Sequence, residues 1–377
     1  MVIRDAEESC TNTSNGLREV VQPTPAGIYP VDVLEDDPDG HREATLTYYA
    51  SLREGARTPP AALRFPTGEQ VKLEASSVCL CTVYRDDPQH KLLVLVNPQD
   101  TKTVVAVYVK ESWWCTEDVL RTSDPAREGL MEVQAFGERI VLFILNVVIF
   151  GRSERSLDDD AMFFLPHSAK ERAKILWRNG AAVGFYTTKR KGSLCGDGTG
   201  ACYLLPVLDT VFVRRKHRRQ GLGTAMLRDF CETFSEDEAL GVSCPISPAM
   251  YQVCRQFLLA YPEERGRLWE VEPPGAWGQR TSIWLKVQLQ QARLGEWPPA
   301  GLYLAQELLG FILQPLVSQC WQVLQMHSKG KNLQRRCPVS MLRSRELNSL
   351  AAFPFPWLLH FTPDMRALHR VHGRCVL

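Results

Sequence analysis

Several features that would assign a chain to the membrane, secreted or nucleic-acid-binding class are missing from these 377 residues. The N-terminus has no apolar segment of the kind that signal peptides carry, so we expect a protein that is not secreted. The longest apolar run covers residues 140–150, which is too short to span a bilayer, and no membrane span is predicted. Net charge is also nearly absent, because 44 Lys and Arg residues balance 43 Asp and Glu residues. No overall field attracts a polyanion, and nucleic-acid binding is not predicted.

The cysteines and glycine loops also lack the spacings of common metal and nucleotide sites. Twelve cysteines occur, and without an export signal they are expected to be reduced thiols. The pairs Cys79/Cys81 and Cys195/Cys202 do not have zinc-finger spacing, so no metal site is predicted. One glycine loop is present, but it has no Gly-Lys-Ser/Thr, and Met226 stands where Rossmann spacing needs a further glycine. The remaining composition, 45% hydrophobic and 23% charged, is that of a soluble globular protein.

The most informative stretch is a predicted strand, glycine loop and helix between residues 207 and 234. The β-branched and aromatic residues up to Val213 predict the strand. The helix is predicted by an apolar residue at every fourth position, namely Leu222, Met226, Phe230 and Phe234. Residues 218–223, between the two elements, read Arg-Arg-Gln-Gly-Leu-Gly. Glycines at the start of a helix leave backbone N–H groups accessible, and together with the helix dipole and nearby arginines these suit a pyrophosphate.

This arrangement resembles the acyl-CoA-binding motif of the GNAT superfamily of N-acetyltransferases, whose loop reads Arg or Gln, two residues, Gly, any residue, and Gly or Ala. The order of elements around it agrees with that resemblance. A hairpin at Asn179-Gly180 precedes the motif, and a strand near residues 240–244, a helix after Ser247-Pro248 and a closing hairpin of residues 268–271 and 281–287 follow it. The resemblance implies a GNAT-like mixed central sheet flanked by helices over residues 161–290. The whole chain is further similar, as a shorter paralogue, to the small family that includes the soluble lamin-associated protein of 75 kDa.

The rest of the chain is predicted to form three further parts of an α+β protein. Residues 1–44 are polar and are predicted to be loosely ordered, and residues 45–160 to form a β-rich domain with a helix near 46–53. Strands of an antiparallel meander are predicted at residues 78–84, 92–97 and 103–110. Apolar spacing favours a buried helix near residues 130–150, although the β-branched residues there would also suit a strand. Residues 291–377 are predicted to be a C-terminal helix followed by a poorly ordered tail.

The resemblance implies that acetyl-CoA is the co-substrate. Backbone N–H groups of the glycine loop would hold its pyrophosphate, Arg218 would add charge, and the pantetheine arm would pair with the preceding strand as an added strand. The predicted cofactor-binding residues are Val211, Val213, Arg218, Arg219, Gln220, Gly221, Leu222, Gly223 and Thr224.

The resemblance also implies a general base for the amine and a general acid for the departing thiolate. Many members have a glutamate on the strand before the loop, but Val207 stands at that position, so Asp209 is the substitute candidate. Many members also have a tyrosine one to two turns into the next helix, where this chain has Cys254, with Tyr251 one turn earlier. The predicted catalytic residues are therefore Asp209, Tyr251 and Cys254. The alternatives are a structural carboxylate for Asp209 and ordinary packing for the other two.

Two functions remain open from the sequence. The first is transfer of an acetyl group from acetyl-CoA to an amine by direct attack, on a protein or a small molecule. The second is a catalytically inactive interaction or scaffold protein with a nuclear protein partner, for which the second resemblance implies the nuclear lamina. The intact glycine loop favours the first function, and Val207 in place of a glutamate favours the second. The basic runs at residues 189–191 and 214–219 are also typical of nuclear import signals, so nucleus or cytoplasm is the expected location. The oligomeric state is left open.

Overall fold

The computed structural model describes residues 18–20, 28–34, 37–54, 61–64, 70–100, 102–155, 165–196 and 200–294. These residues form a mixed α+β fold, as the sequence predicts. The described residues up to Leu285 belong to one compact unit, and residues 286–294 are assigned to a second. Within these ranges no helix combines the length and the apolar character that crossing a membrane requires. The predicted C-terminal helix and tail lie outside the described residues.

Two small sheets belong to the N-terminal half. The first has three strands, β1 (Arg18–Val20), β2 (Ala61–Arg64) and β3 (Gln70–Lys72). The second is antiparallel and has four strands, β4 (Val78–Thr82), β5 (Lys91–Val96), β6 (Val104–Val109) and β7 (Ser112–Cys115). Strands β4 to β6 form the predicted meander, and β7 extends it by one strand.

The helices of this half are α1 (Pro30–Val33), α2 (Pro38–Glu54) and α3 (Thr116–Val119). Helix α2 begins earlier than the predicted residue 46, because a carboxylate oxygen of Asp37 accepts a hydrogen bond from the Gly40 N–H at 2.9 Å. The ring of Tyr48 on α2 stacks on Tyr108 of β6 at 4.2 Å between centroids, which fixes the helix on the four-stranded sheet. The segment predicted to be loosely ordered up to residue 44 thus contributes β1, α1 and the first part of α2.

The largest sheet has seven strands, which are β8 (Gly129–Glu132), β9 (Arg172–Arg178), β10 (Ala181–Lys189), β11 (Val207–Val213), β12 (Leu240–Ser243), β13 (Leu268–Val271) and β14 (Arg280–Ser282). Their spatial order is β14-β13-β12-β11-β10-β9-β8. Strands β11, β12 and β13 are parallel to one another, and the other neighbouring pairs are antiparallel. The pair of β8 and β9 joins residues on both sides of the domain boundary predicted at residue 160.

The region predicted as one buried helix over residues 130–150 contains two kinds of structure. It consists of β8, helix α4 (Phe136–Phe143) and a π-helix (Ile144–Ser153) that continues α4. The prediction is wrong at its start, because residues 129–132 pair with β9. Helix α4 begins only at Phe136, because the Glu138 carboxylate caps it there. This carboxylate accepts hydrogen bonds from the N–H groups of Gln134 at 2.7 Å and Ala135 at 3.1 Å.

Helices cover both faces of the seven-stranded sheet. Helix α4 and the π-helix cover one face, and α5 (Leu222–Thr233) and α6 (Pro248–Ala260) cover the other. Successive residues of β9 show the alternation, since Ile175 and Trp177 belong to the first core and Leu176 to the second. The predicted Asn179-Gly180 turn joins β9 to β10, and both residues have a positive φ, 50° and 68°.

The closing hairpin is shorter than predicted. Strand β14 pairs with β13 but ends at Ser282, where α7 (Ile283–Leu294) begins, so the predicted strand over residues 281–287 is wrong after its second residue. The Ser282 hydroxyl accepts a hydrogen bond from the Leu285 N–H at 3.2 Å, as a helix N-cap does. The apolar residues in this stretch suit a strand or a helix, and the N-cap at Ser282 favours the helix.

Candidate functional site

The predicted strand, loop and helix are all present as β11, residues 214–221 and α5. The loop begins with a short 3-10 turn over Arg215–His217. Two further positions adopt left-handed backbone conformations, Arg219 with φ 61° and Gly221 with φ 75°. Gly221 is the residue directly before α5, and its missing side chain allows this conformation without strain.

The start of α5 exposes several backbone donors. The first intrahelical bond closes from the Ala225 N–H to the Gly221 carbonyl at 3.0 Å, so the N–H groups of Leu222, Gly223 and Thr224 have no partner within the helix. No side chain caps this end of the helix in the described part of the chain. Twelve aligned peptide units place the positive end of the helix dipole at the same point. These groups can accept an anion.

Acidic side chains neutralise much of the basic loop. The buried guanidinium of Arg214 forms a bidentate pair with Glu117, one bond of which measures 3.0 Å. The carboxylate of Glu154, just after the π-helix, accepts the Arg215 N–H at 2.6 Å and lies 3.7 Å from the Arg218 guanidinium. Arg219 is exposed and forms no ion pair with any described residue. It is therefore the cation of the loop with the greatest freedom to meet a ligand.

Two predicted ligand residues of the loop have partners of their own. The Arg218 Nε donates to the Val213 carbonyl at 2.8 Å, and its guanidinium lies 5.8 Å from the centre of the Phe212 ring. The side-chain oxygen of Gln220 accepts a hydrogen bond from Arg178 at 2.7 Å. These contacts hold the loop against β11 and the β9–β10 turn, so the side chains shape the loop and the backbone supplies the donors.

The parallel strands next to the loop separate early. Strand β11 pairs with β12 only at Val207 and Leu208, whereas its pairing with β10 continues to Val213. The separation of two parallel strands beside a helix N-terminus is a common place for a ligand. Val211 and Val213, which are predicted to pair with a pantetheine arm, are at most 1% exposed.

The predicted base Asp209 lies in a buried charge cluster. One of its carboxylate oxygens accepts the Ser243 hydroxyl at 2.8 Å, and the other is 3.3 Å from the Lys189 Nζ. The same ammonium group is 2.9 Å from the carboxylate of Glu171, which lies 3.5 Å from the Nδ1 of His167. Asp209 and Glu171 are 3% and 7% exposed. We call Asp209, Glu171, Lys189 and His167 the buried charge cluster.

Electrostatic interactions within the buried charge cluster shift the pKa values of Glu171 and Lys189. Burial alone would raise the pKa of the Glu171 carboxyl, but the charges of His167 and Lys189 outweigh it and hold that pKa well below its usual range. Burial lowers the pKa of the Lys189 ammonium, but Asp209 and Glu171 together raise that pKa by more than burial lowers it. The net shift of the Lys189 pKa is therefore upward. The sequence placed Lys189 in a basic run typical of import signals, and its burial here was not predicted.

The other two predicted catalytic residues lie on α6. The Ser247 hydroxyl caps this helix by accepting the Met250 N–H at 3.1 Å, and Pro248 follows, as predicted. Cys254 is fully buried, and its burial together with the Glu270 carboxylate raises the pKa of the thiol to about 12. Tyr251 is half-buried, and burial raises the pKa of its phenol. Of the two, only Tyr251 is reached by solvent as a proton donor.

Comparison with known proteins gives close relatives but no structural template. The chain is 74% identical over 267 residues to the protein FAM169B of Mus musculus, which corresponds to 71% of this chain and 79% of the relative. It is 83% identical over 122 residues to the protein FAM169BP of Homo sapiens. That match covers 32% of this chain and 64% of the relative, which is less than two thirds of the relative's length. No family model matches the chain, and no solved structure matches it.

These findings correct the two resemblances given above. The motif suggested the GNAT superfamily, but no family model and no solved structure matches the chain, so that assignment is unsupported. The relatives carry the name FAM169B, and the assignment to the family of the soluble lamin-associated protein is likewise unsupported. The motif is a local feature of residues 207–234, whereas the match to the mouse protein covers most of both chains. The chain belongs to the FAM169B family.

Proposed function

We propose that the N-terminus of α5 binds an acyl-CoA, with acetyl-CoA as the ligand to test first. The observation that carries the proposal is the set of backbone N–H groups at Leu222, Gly223 and Thr224, which have no intrahelical partner and lie at the positive end of α5. A pyrophosphate is the group that such donors suit best, because it presents several anionic oxygens to a row of amides.

The surroundings support a ligand longer than a phosphate alone. The exposed Arg219 adds a positive charge beside the helix mouth, and Lys216 is exposed on the same loop. Strand β11 leads directly into the loop and separates from β12 after Leu208. A pantetheine arm is an extended chain with amide groups, which can follow such a strand by main-chain hydrogen bonding. Because Val211 and Val213 are buried, the pantetheine arm would enter only if β11 and β12 separated further.

The contacts of the predicted catalytic residues favour binding without transfer as the second candidate function. Asp209 has Lys189 and Ser243 on its two carboxylate oxygens, and Cys254 is enclosed in the core. A general base has to meet the amine proton directly or through one water. Transfer of an acetyl group to an amine would depend on Tyr251 as the acid and on water as the proton acceptor. An interaction protein that responds to acyl-CoA needs neither group.

The binding proposal predicts a large effect of one glycine substitution. Gly221→Glu places a carboxylate at the anion position, so we expect the Kd for acetyl-CoA to rise by at least about tenfold, since a charge-assisted hydrogen bond contributes roughly 1.5–3 kcal/mol. Gly192→Glu is the matched control, because Gly192 has a similar φ of 85° and, like Gly221, open space at the Cβ position. Calorimetric titration of the full chain measures both. Equal binding by wild type and Gly221→Glu, or no binding by a folded wild type, would contradict the proposal.

Two further measurements, a titration with ADP and an assay of thiol release, separate the ligand classes and the two functions. ADP carries the pyrophosphate without pantetheine, so an affinity equal to that of acetyl-CoA would make the site a nucleotide site. Release of free CoA thiol in the presence of amines, reduced in Tyr251→Phe, would establish transfer. Binding without thiol release would establish the second function.

A further inference from the structure

A second cleft opens on the α5 face of the seven-stranded sheet, at the C-terminal end of that helix. Its lining includes Glu132, Arg172, Lys174, Tyr186, Thr188 and Phe234. Residues of three strands and of the end of α5 thus surround one opening. The cleft combines an aromatic wall with charged groups of both signs.

The strand register explains why these polar side chains meet. Lys174 on β9 stands directly opposite Glu132 on β8 and opposite Tyr186 on β10. Arg172, two residues earlier on β9, stands opposite Thr188. Directly paired residues of antiparallel strands have their side chains on the same face, and so do residues two apart on one strand. All five side chains therefore lie on the face that α5 covers.

The charged side chains at the cleft form two ion pairs. The Arg172 Nε lies 2.5 Å from a Glu132 carboxylate oxygen, and the Lys174 Nζ lies 2.7 Å from the carboxylate of Asp229 on α5. Tyr186 also donates its hydroxyl to Asp229. The four charged side chains are between 22% and 38% exposed, so each still reaches water. Asp229 is not part of the lining, but it pairs with Lys174, so the charges at the cleft balance.

We propose that this cleft binds a small zwitterion with an apolar side chain, such as a free amino acid of the leucine or phenylalanine type. The carboxylate of the ligand would lie against Arg172 and Lys174, and its ammonium group against Glu132. A ligand with only one charge would add a net charge to a site whose own charges balance, which is costly where the site is partly desolvated. The ring of Phe234 and the methyl group of Thr188 offer apolar contact to the side chain.

One hydroxyl in the cleft supports a polar ligand independently. Thr188 is 8% exposed, and its hydroxyl makes no hydrogen bond to other side chains or backbone in the described part of the chain. Thr233, by contrast, accepts a hydrogen bond from Lys174 at 3.1 Å and donates to the Asp229 carbonyl at 2.6 Å. A donor on a sheet face beside two ion pairs is available to a ligand carboxylate.

This site is separate from the proposed acyl-CoA site. Helix α5 has twelve residues, so its two ends are about 18 Å apart. The amine of a ligand in the cleft is too far from the helix mouth for direct attack on an acyl group there. Failure of either proposal therefore leaves the other unaffected.

The test measures binding of L-leucine, L-phenylalanine and L-methionine to the full chain. Binding is detected by calorimetry and by the shift of the unfolding temperature. We expect at least one of them to bind with a Kd on the order of 1 mM or tighter. Its N-acetyl and carboxamide derivatives, each lacking one charge, should bind at least about tenfold more weakly.

Two conservative variants test the assignment of the charges. Arg172→Gln and Glu132→Gln should each weaken binding of the amino acid about tenfold, because each removes one charged contact. Arg228→Gln is the matched control, since this exposed side chain lies on α5 outside the cleft lining and pairs with the exposed Glu232. Absence of binding for all three amino acids overturns the proposal. So do equal affinities for the derivatives, or unchanged affinities in both cleft variants when the protein is folded.

Discussion

Replacing Gly184 by alanine is expected to lower the free energy of unfolding by about 3 kcal/mol, because the added carbon would collide with the backbone of β11. A Cβ at this position would lie 2.5 Å from the carbonyl oxygen of Phe212 and 3.3 Å from the Cα of Val213, both on β11. The third neighbour, the Met226 Cε at 3.0 Å, is flexible and can move. Strand β11 cannot yield in this way, since it is held by β10 along its length.

The consequence extends to the glycine loop. Relief of the contact requires β11 to move away from β10, and β11 leads directly into residues 214–221. We therefore expect Gly184→Ala to weaken acetyl-CoA binding as well as stability. Chemical denaturation measures the first effect and titration the second.

Gly278→Ala is the control for this prediction. No atom lies within 4 Å of a Cβ built on Gly278, and its φ is not in the left-handed region. Its free energy of unfolding should stay within about 1 kcal/mol of wild type or rise slightly, because alanine reduces the entropy of the unfolded chain. Similar values for the two variants would show that β10 and β11 accommodate the added carbon.

Local patterns in the sequence were sufficient to predict much of the region around the candidate site. The four-residue spacing from Leu222 to Phe234 predicts α5, and the structure buries Met226 and Phe230 of this stripe. Asn179-Gly180 predicts the β9–β10 turn, and Ser247-Pro248 predicts the cap of α6. Each of these signals is local, because a turn, a cap or one helix face is fixed by residues close in sequence.

The contacts that decide the chemistry are not local, and the sequence did not predict them. Lys189 joins Glu171 and Asp209, which are separated from it by 18 and 20 residues and belong to different elements. Such a cluster depends on strand register, and register is fixed by the assembled sheet. The pairing of Arg214 with Glu117, across 97 residues, is hidden for the same reason. A basic run in the sequence therefore becomes a largely neutralised loop in the fold.

The same separation explains why the cleft at the end of α5 was missed. Glu132, Lys174 and Tyr186 come from three strands, and no spacing in the sequence marks them as a group. The apolar spacing of residues 130–150 moreover favours a helix over a strand, and a helix would place Glu132 on the wrong kind of element. A single correction, the assignment of β8 as an edge strand, brings the acidic side chain into the row of polar residues.

Lys189→Met is expected to lower the free energy of unfolding by about 3–5 kcal/mol, the range for a buried ion pair that loses one partner. The variant keeps most of the length of the side chain but removes the cation between Asp209 and Glu171, whose side chains are 4% and 3% exposed. Two carboxylates then remain buried, with only His167 of the buried charge cluster to compensate them. Arg228→Met is the matched control, because that cation pairs with Glu232 on the surface and should contribute less than about 1 kcal/mol.

The pH dependence of this loss follows from the pKa shifts. In the wild type the pKa of Glu171 is depressed, so its stabilising contribution is present above the ordinary value of 4.5 and is lost as the pH falls through the lower folded value. Without Lys189 the pKa of Glu171 is less depressed than in the wild type, because His167 alone then opposes the effect of burial. The deficit of the variant relative to wild type therefore shrinks in acid, as the pH falls through the higher folded pKa of Glu171 in the variant. Adding Asp209→Asn to Lys189→Met should recover part of the loss at neutral pH by removing one uncompensated charge. A deficit that is the same at neutral and acidic pH, and that Asp209→Asn leaves unchanged, would mean that the packing of the Lys189 side chain and not its charge stabilises the fold.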